Sequence, residues 1–174
     1  ICDTPVALIS LIDKDRQWFK SKIGLDACET DRKISFCTHA LNQPNEVYEI
    51  EDTSDHNLFK DNPFVTEKDV RFYAGAPLNH KDGHALGTIC VIDFKPKKLS
   101  DKQKLALKNL SNQVVKLFEL RSKNENLREV QSNLREKNAQ LRNFAGVVSH
   151  DMKMPLANII VTIDILKSKY KKAL

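Results

Sequence analysis

A seven-residue repeat late in the chain constrains its fold more than any other feature. The repeat consists of Leu120, Leu127, Leu134, Leu141 and Val148, and seven residues is the interval of a two-stranded coiled coil. With these residues at the d positions, the a positions are Asn124, Gln131, Asn138 and Ala145. Asparagine at a costs stability but favours a parallel, in-register pair, so the repeat predicts a marginal coiled coil in a parallel homodimer.

The opposite phase of the repeat is less favourable. It would place Lys123, Val130, Lys137 and Phe144 in the seam between the helices. Two lysines in an apolar seam would have to be desolvated, which costs more than burying asparagine. We therefore expect the leucines to face the partner helix.

A histidine and an acid stand side by side just after the repeat. His150 lies two residues past Val148, about 200° round a helix from the leucine seam, which predicts an exposed imidazole. An unprotonated imidazole nitrogen is a nucleophile toward a phosphoryl group, and Asp151 can hold the proton of the other nitrogen. Pro155 lacks a backbone donor, so we expect a helix kink just past the histidine.

Residues 144–159 read FAGVVSHDMKMPLANI and resemble the H-box of the phosphotransfer helix of bacterial sensor histidine kinases. Taken alone, a histidine beside an acid is usually a solvated surface residue. Here six positions fit the pattern S-H-E/D-L-R/K-x-P-L, namely Ser149, His150, Asp151, Lys153, Pro155 and Leu156. The resemblance implies that His150 is the phosphoacceptor, that ATP and Mg²⁺ bind a separate catalytic domain, and that a response regulator receiver domain accepts the phosphate.

The same pattern bears on dephosphorylation of the partner, the response regulator. In the family, the residue four positions after the histidine is often Thr or Asn and helps to position a water. Here it is Met154, which forms no useful hydrogen bond to water, so the sequence disfavours phosphatase activity by that route. Beyond Pro155 the apolar pattern continues with Leu156, Ile159, Ile163, Leu166 and Tyr170, and the breadth of this face predicts further partner helices.

Charge divides the chain into two different parts. Residues 1–94 have a formal balance of −6 and residues 95–174 one of +11. The basic residues follow helical intervals around the leucine seam, which is typical of solvated helix faces and argues against nucleic acid binding. No apolar run approaches the ~18 residues of a membrane helix. With no signal-peptide pattern, we expect a cytoplasmic chain, and we expect its four cysteines to be reduced.

The acidic part has the pattern of a small α+β domain. Apolar and β-branched runs predict strands at residues 6–12, 17–21, 47–50, 71–79 and 85–94. Asp82-Gly83 predicts a hairpin turn between the last two strands, residues 32–41 suggest a loop entering a short helix, and residues 51–66 are polar and rich in turns. Ser100 and Gln103 form a capping box that should begin a helix leading into the coil.

Motifs along this part resemble the GAF domain, a small-molecule sensor fold. They are Trp18-Phe19-Lys20-Ser21, Gly24-Leu25, Phe36-Cys37 with His39-Ala40, Gly75-x-Pro77-Leu78 and Leu86-Gly87-Thr88. The resemblance implies an α+β fold with an antiparallel sheet and flanking helices, continuing into a long coiled-coil helix and the first helix of a dimeric four-helix bundle. We expect a GAF domain at 1–120 without its opening helix, a linker coil at 121–142, and an incomplete phosphoacceptor domain at 143–174.

The ligand of such a domain is not encoded in an obvious motif. Two alternatives remain open, a noncovalent small molecule or no ligand at all. From position in the fold, a noncovalent small molecule would contact Phe36, Cys37, His39, Phe72 and Tyr73. A metal site from Cys37, His39, His80 and His84 is disfavoured, because Cys-x-His points the two side chains apart on a helix. A covalent bilin is disfavoured because no Cys-His pair occurs, and Cys37 is interpreted as a buried apolar residue.

These patterns together predict the input portion of a cytoplasmic sensor histidine kinase. A signal at the GAF domain would control ATP-dependent phosphorylation of His150, and the chain should be inactive alone because the ATP-binding domain is missing. Two other classes remain open. One is a non-catalytic dimeric GAF module that relays phosphate or binds a regulator, and the other is an enzyme using Cys37 in redox chemistry, which would require a low thiol pKa.

Overall fold

The computed structural model describes residues 1–171, and their side chains as far as residue 169. The chain divides into two compact units, Ile1–Leu120 and Arg121–Leu174. The end of the segment expected to be the phosphoacceptor helix, residues 172–174, lies outside the described residues, as does the side chain of Tyr170.

The first unit is an α+β domain with six strands. The strands are β1 (Val6–Ile12), β2 (Arg16–Ile23), β3 (Glu29–Asp31), β4 (Tyr48–Ile50), β5 (Phe72–Asn79) and β6 (Ala85–Asp93). Its short helices are a 3₁₀ turn (Arg32–Ile34), α1 (Phe36–Ala40) and α2 (Pro63–Thr66), and α3 (Asp101–Lys171) begins in this unit.

The strands form one antiparallel sheet in the order β3-β2-β1-β6-β5-β4. β5 and β6 are joined by the hairpin predicted at Asp82-Gly83, where Gly83 has a φ of +91°. Thus β1 and β6 lie at the centre of the sheet, and their side chains alternate between its two faces.

Two apolar cores result from this alternation. On one face, Leu8, Phe19 and Tyr73 pack with α1, α2 and the loops that flank α2. On the other face, Phe72, Ala74 and Ala76 of β5 pack with Val91, Leu99 and Leu107. Because Leu107 belongs to α3, the start of that helix is anchored on the sheet face opposite to α1.

The capping box predicted at the start of α3 is confirmed. The Gln103 backbone N–H donates to Ser100 Oγ at 3.4 Å, and the Ser100 N–H donates to Gln103 Oε1 at 3.0 Å. These two bonds satisfy backbone donors that have no partner within the helix.

The expected α+β sheet with flanking helices and a long C-terminal helix is confirmed, with three differences in detail. Strand β3 was not predicted, since three polar residues carry no periodicity and are held by pairing with β2. Residues 51–66 were expected to be turns, but Asn62 caps α2 through Oδ1 and the Phe64 N–H, at 2.9 Å. The strands predicted at 47–50, 71–79 and 85–94 each differ from β4, β5 and β6 by one terminal residue, and β2 extends the predicted strand 17–21 by one residue at its start and two at its end.

Candidate functional site

The first unit contains a cavity of about 370 Å³ on the α1 face of the sheet. Apolar side chains of three neighbouring strands form its floor, among them Leu8 of β1, Phe19 of β2 and Ile92 of β6. The loop after β2 and the segment after α2 form its rim, where Asp26, Ala27 and Lys68 are exposed to solvent. The cavity therefore connects the buried core with the surface.

Gly24 gives the rim its shape. Its φ is +75°, in the left-handed region, and a Cβ at this position would collide with the backbone carbonyl of Pro5. Any other residue would be strained and would push the loop away from β1. The Gly24-Leu25 motif thus places the loop residues that line the cavity.

Aromatic rings form one wall of the cavity. The rings of Phe36 and Tyr73 stack with centroids 5.3 Å apart, and Phe64 lies 6.2 Å from Phe36. Phe36 also contacts Phe59 at 4.9 Å, outside the cavity lining. Such packing holds the ring of Tyr73 in place, and its phenol oxygen is the only atom of the side chain that can form a conventional hydrogen bond.

Two buried oxygens of the cavity lining, Thr30 Oγ1 and Tyr73 Oη, have no hydrogen-bond partner within the described residues. Burial raises the pKa of Tyr73 well above its usual value, so the phenol is a neutral donor. A buried polar atom without a partner costs free energy, and a bound molecule that supplied the missing bond would recover it.

A group of small polar side chains lies beneath α1. Cys37 Sγ is 3.7 Å from Cys90 Sγ and accepts a hydrogen bond from Gln17 Nε2 at 3.2 Å. Ser10 Oγ and Thr88 Oγ1 are paired across β1 and β6 at 3.1 Å. The interpretation of Cys37 as a buried small residue is confirmed, since it is 2% exposed.

The structure brings together three of the five residues predicted to contact a ligand. Phe36, Cys37 and Tyr73 line the cavity, whereas His39 and Phe72 do not. His39 packs edge-on against Phe59 at 4.8 Å, because it lies two positions along α1 from Cys37 and points elsewhere. Phe72 is in the opposite core, because adjacent residues of a strand face opposite sides of the sheet.

Sequence reasoning missed most of the cavity lining. Lys68 and Val70 follow α2, and residues 24–27 follow β2, so neither segment carries a strand or helix pattern that would place it. Leu8 and Phe19 could have been found, because strand alternation puts both on the α1 face with Tyr73.

The residues considered for a metal site are far from forming one. Cys37 contacts Cys90, while His80 Nδ1 lies 2.9 Å from Asp82 Oδ2 and His80 Nε2 lies 3.7 Å from Glu119 Oε1. No group of three or more potential metal ligands occurs in the part of the chain that the structure describes.

The second candidate site is on the helix of the second unit. His150 Nδ1 lies 3.2 Å from Asp151 Oδ1, with side chains 84% and 71% exposed. The contact leaves Nε2 of the imidazole directed away from the carboxylate and open to solvent. The ring is therefore held at one nitrogen and accessible at the other.

Helix α3 continues through Pro155. Proline has no N–H, so the carbonyl of Asp151, four residues earlier, lacks its usual helical donor. This carbonyl, next to His150, is left to bond solvent, while the expected kink remains a prediction. Met154 is 67% exposed on the same turn.

Apolar side chains of the second unit have no partner within the described chain. Every residue from 121 to 169 is exposed, including the repeat residues Leu127, Leu134 and Leu141 at 62–66%. A helix with a repeated apolar stripe gains most of its stability by burying that stripe. Among the described residues, no helix has the length and apolarity needed to cross a membrane.

Comparison with known proteins identifies the family of the first unit. Residues 1–116 match the GAF domain family. A cyclic di-GMP phosphodiesterase of Pseudomonas aeruginosa is 43% identical over 124 residues, which is 70% of this chain and 21% of that protein. The chain thus spans about a fifth of the length of this relative.

Solved structures share the fold at low identity. The GAF domain of a phosphoenolpyruvate-protein phosphotransferase from Coxiella burnetii has a TM-score of 0.57 at 14% identity, covering 70% of this chain and 76% of that one. A domain of a protein described as a two-component sensor histidine kinase from Sinorhizobium meliloti has a TM-score of 0.54 at 15% identity, covering 73% and 86%. With a sheet of this topology and a family match over two thirds of its length, the chain belongs to the GAF domain family.

Proposed function

We propose that this chain is the sensory and phosphoacceptor portion of a two-component histidine kinase, in which the GAF domain controls phosphorylation of His150. The observation that carries the proposal is the exposed pair of His150 and Asp151 on a helix, followed by Pro155. The GAF domain would be the input, and a response regulator receiver domain would receive the phosphate.

The geometry of the pair suits a nucleophilic histidine. With the Nδ1 proton donated to Asp151, the lone pair of Nε2 is free to attack the γ-phosphorus of ATP. ADP leaves as the nitrogen–phosphorus bond forms, and Asp151 stabilises the positive charge that develops on the ring. ATP and Mg²⁺ would be held by a kinase catalytic domain.

The exposed apolar stripe supports the proposal of a parallel homodimer. Burying Leu120, Leu127, Leu134 and Leu141 against a second copy would remove large apolar side chains from water on both helices. His150 would remain on the outside of such a pair, where a catalytic domain can reach it.

The cavity of the GAF domain would hold a small, largely apolar ligand. Its volume of about 370 Å³ lies at the lower end of the usual range for ligand pockets. A ligand that accepts a hydrogen bond from Tyr73 Oη and bonds Thr30 Oγ1 would satisfy both unpartnered atoms. We propose that ligand occupancy is passed along α3 as a change in helix rotation or register.

Autophosphorylation tests the central part of the proposal. The natural protein is incubated with radiolabelled ATP and Mg²⁺, and we expect a phosphate that is stable in alkali but lost in acid. His150→Ala should abolish this label, and His84→Ala, at an exposed histidine of the hairpin, should keep it. Transfer of the label to a receiver domain would test the proposed partner, and a label that survives in His150→Ala would contradict the assignment.

Transmission through the helix has its own test. Deletions of one to seven residues within 121–141 rotate His150 relative to the GAF domain by about 100° per residue. Activity should depend on the number deleted and recover when seven residues, a whole repeat, are removed. Equal activity in all deletions would contradict a rotational signal.

A different output is the second candidate. The relative with 43% identity is a cyclic di-GMP phosphodiesterase, so a domain similar to this one occurs in a protein whose output is not a kinase. In that case the chain would be a non-catalytic dimeric sensing module, and His150 a solvated residue. Hydrolysis of cyclic di-GMP by the natural protein, with no phosphohistidine, would favour this candidate.

A further inference from the structure

Two buried thiols meet beneath α1 in a way that the proposed function does not use. Cys37 on α1 and Cys90 on β6 are separated by 53 positions in the chain, yet their Sγ atoms are 3.7 Å apart. A disulfide requires an approach to about 2.05 Å, so a shift of less than 2 Å would suffice. Cys37 is 2% exposed and Cys90 is 0% exposed.

The cavity gives a small molecule access to this pair. Cys37 is part of the cavity lining, and Cys90 is not. The same cavity is lined by the solvent-exposed residues Asp26, Ala27 and Lys68, so a molecule of the size of hydrogen peroxide that enters it would meet Cys37. One thiol thus lines the cavity, and the other lies outside the lining at 3.7 Å from the first.

The surroundings of the pair favour a reactive Cys37. Burial raises the pKa of the Cys37 thiol, but hydrogen bonding from the surrounding side chains, Cys90 foremost among them, together outweighs burial and lowers the pKa below its usual value. The contact with Cys37 and burial raise the pKa of Cys90 well above its usual value, so Cys90 keeps its proton. Gln17 Nε2 donates to Cys37 Sγ at 3.2 Å and stabilises a thiolate there.

We propose that Cys37 and Cys90 are a peroxide-oxidised pair, with Cys37 as the attacking thiol and Cys90 as the resolving thiol. Cys37 Sγ attacks one oxygen of hydrogen peroxide, the O–O bond breaks, and the second oxygen leaves as water after taking a proton. The resulting sulfenic acid is attacked by Cys90 Sγ, the S–O bond breaks, and a second water leaves. The two thiols lose two electrons and two protons, and the peroxide gains them.

The disulfide would change the cavity that contains the ligand site. It would join α1 to β6 and remove the thiolate that accepts the hydrogen bond from Gln17 Nε2, a residue that is only 4% exposed. Oxidation would therefore alter one wall of the cavity and link two elements that are otherwise held by packing. This modification is independent of His150 and of the identity of the output.

Peptide mapping after oxidation tests the proposal on the wild-type chain. The folded protein is treated with hydrogen peroxide, free thiols are blocked, and cross-linked peptides are identified by mass spectrometry. We expect a peptide pair joining Cys37 to Cys90 with a loss of about 2 Da. In urea the same cross-link should be at least roughly tenfold less abundant, because the unfolded chain must first close a long loop.

Cys28 provides a matched comparison within the same molecule. It is exposed, and its Sγ lies 3.4 Å from Lys22 Nζ. Cys28→Ser should leave the Cys37–Cys90 cross-link unchanged, and Cys90→Ser should stop the reaction at a sulfenic acid on Cys37 that dimedone captures. Oxidation of Cys28 while Cys37 and Cys90 stay reduced in the folded chain would overturn the proposal.

Discussion

The leucine stripe of the second unit leads to a quantitative prediction for Leu134→Ala. Leu134 is 62% exposed in the single chain, and complete burial of a leucine contributes about 1.5–3 kcal/mol. Burying the exposed fraction in a dimer therefore contributes about 1–2 kcal/mol per chain, and about twice that for two copies. The dissociation constant of the dimer should rise roughly thirtyfold to a thousandfold.

Val130→Ala is the control for this prediction. Val130 is also 62% exposed, but it lies outside the a and d positions when the leucines form the seam. Alanine is the better helix former in both variants, so a loss of dimer would not come from a loss of helix. Sedimentation equilibrium of the 174-residue chain over a concentration series measures both constants.

Either of two results would refute the reasoning. If Leu134→Ala changes the dissociation constant less than about threefold, the leucines are not buried between two copies. If Val130→Ala weakens the dimer as strongly as Leu134→Ala, the seam follows the opposite phase of the repeat.

Two further predictions concern the GAF domain. Leu107 is 2% exposed and anchors α3 on the sheet, so Leu107→Ala should lower the free energy of unfolding by about 2–5 kcal/mol in urea titrations. Leu105 is 59% exposed, so Leu105→Ala should change the free energy of unfolding by no more than about 0.5 kcal/mol. Equal effects of the two variants would contradict the placement of α3. Burial and the charge of His56 lower the pKa of His39, so the folded state binds fewer protons there than the unfolded state. The contribution of neutral His39 to stability should be complete above about pH 6.5 and decline as the pH falls below that value. Urea midpoints measured from about pH 8 to 5 should therefore fall less steeply toward acid pH in His39→Gln than in wild type or in His84→Gln.

Much of the fold was accessible from sequence because local patterns and packing agree. The strands of the hairpin, the run at Val6–Ile12 and the cap at Ser100 each have a pattern that tertiary contacts reinforce. Strand β3 and α2 escaped prediction because pairing with β2 and a side-chain cap, rather than periodicity, stabilise them.

The candidate sites differ in how far sequence could define them. His150 and Asp151 are adjacent in the chain, so their contact needs no tertiary information. The cavity is different, since Cys37 and Cys90 meet only after α1 folds over β6, and Lys68 reaches the rim from a loop. His39 was predicted to line the cavity but packs against Phe59 instead, because it lies two positions from Cys37 on α1 and faces a different side of that short helix.

The position of phosphate on the natural protein tests the central proposal most directly. The protein is isolated from cells at alkaline pH, digested, and its phosphopeptides are sequenced by mass spectrometry under conditions that preserve phosphohistidine. We predict phosphate on the imidazole of His150, in the peptide that contains Asp151. Phosphate on another residue, or an unmodified His150 in protein that has processed ATP, would contradict the assignment of His150 as the phosphoacceptor.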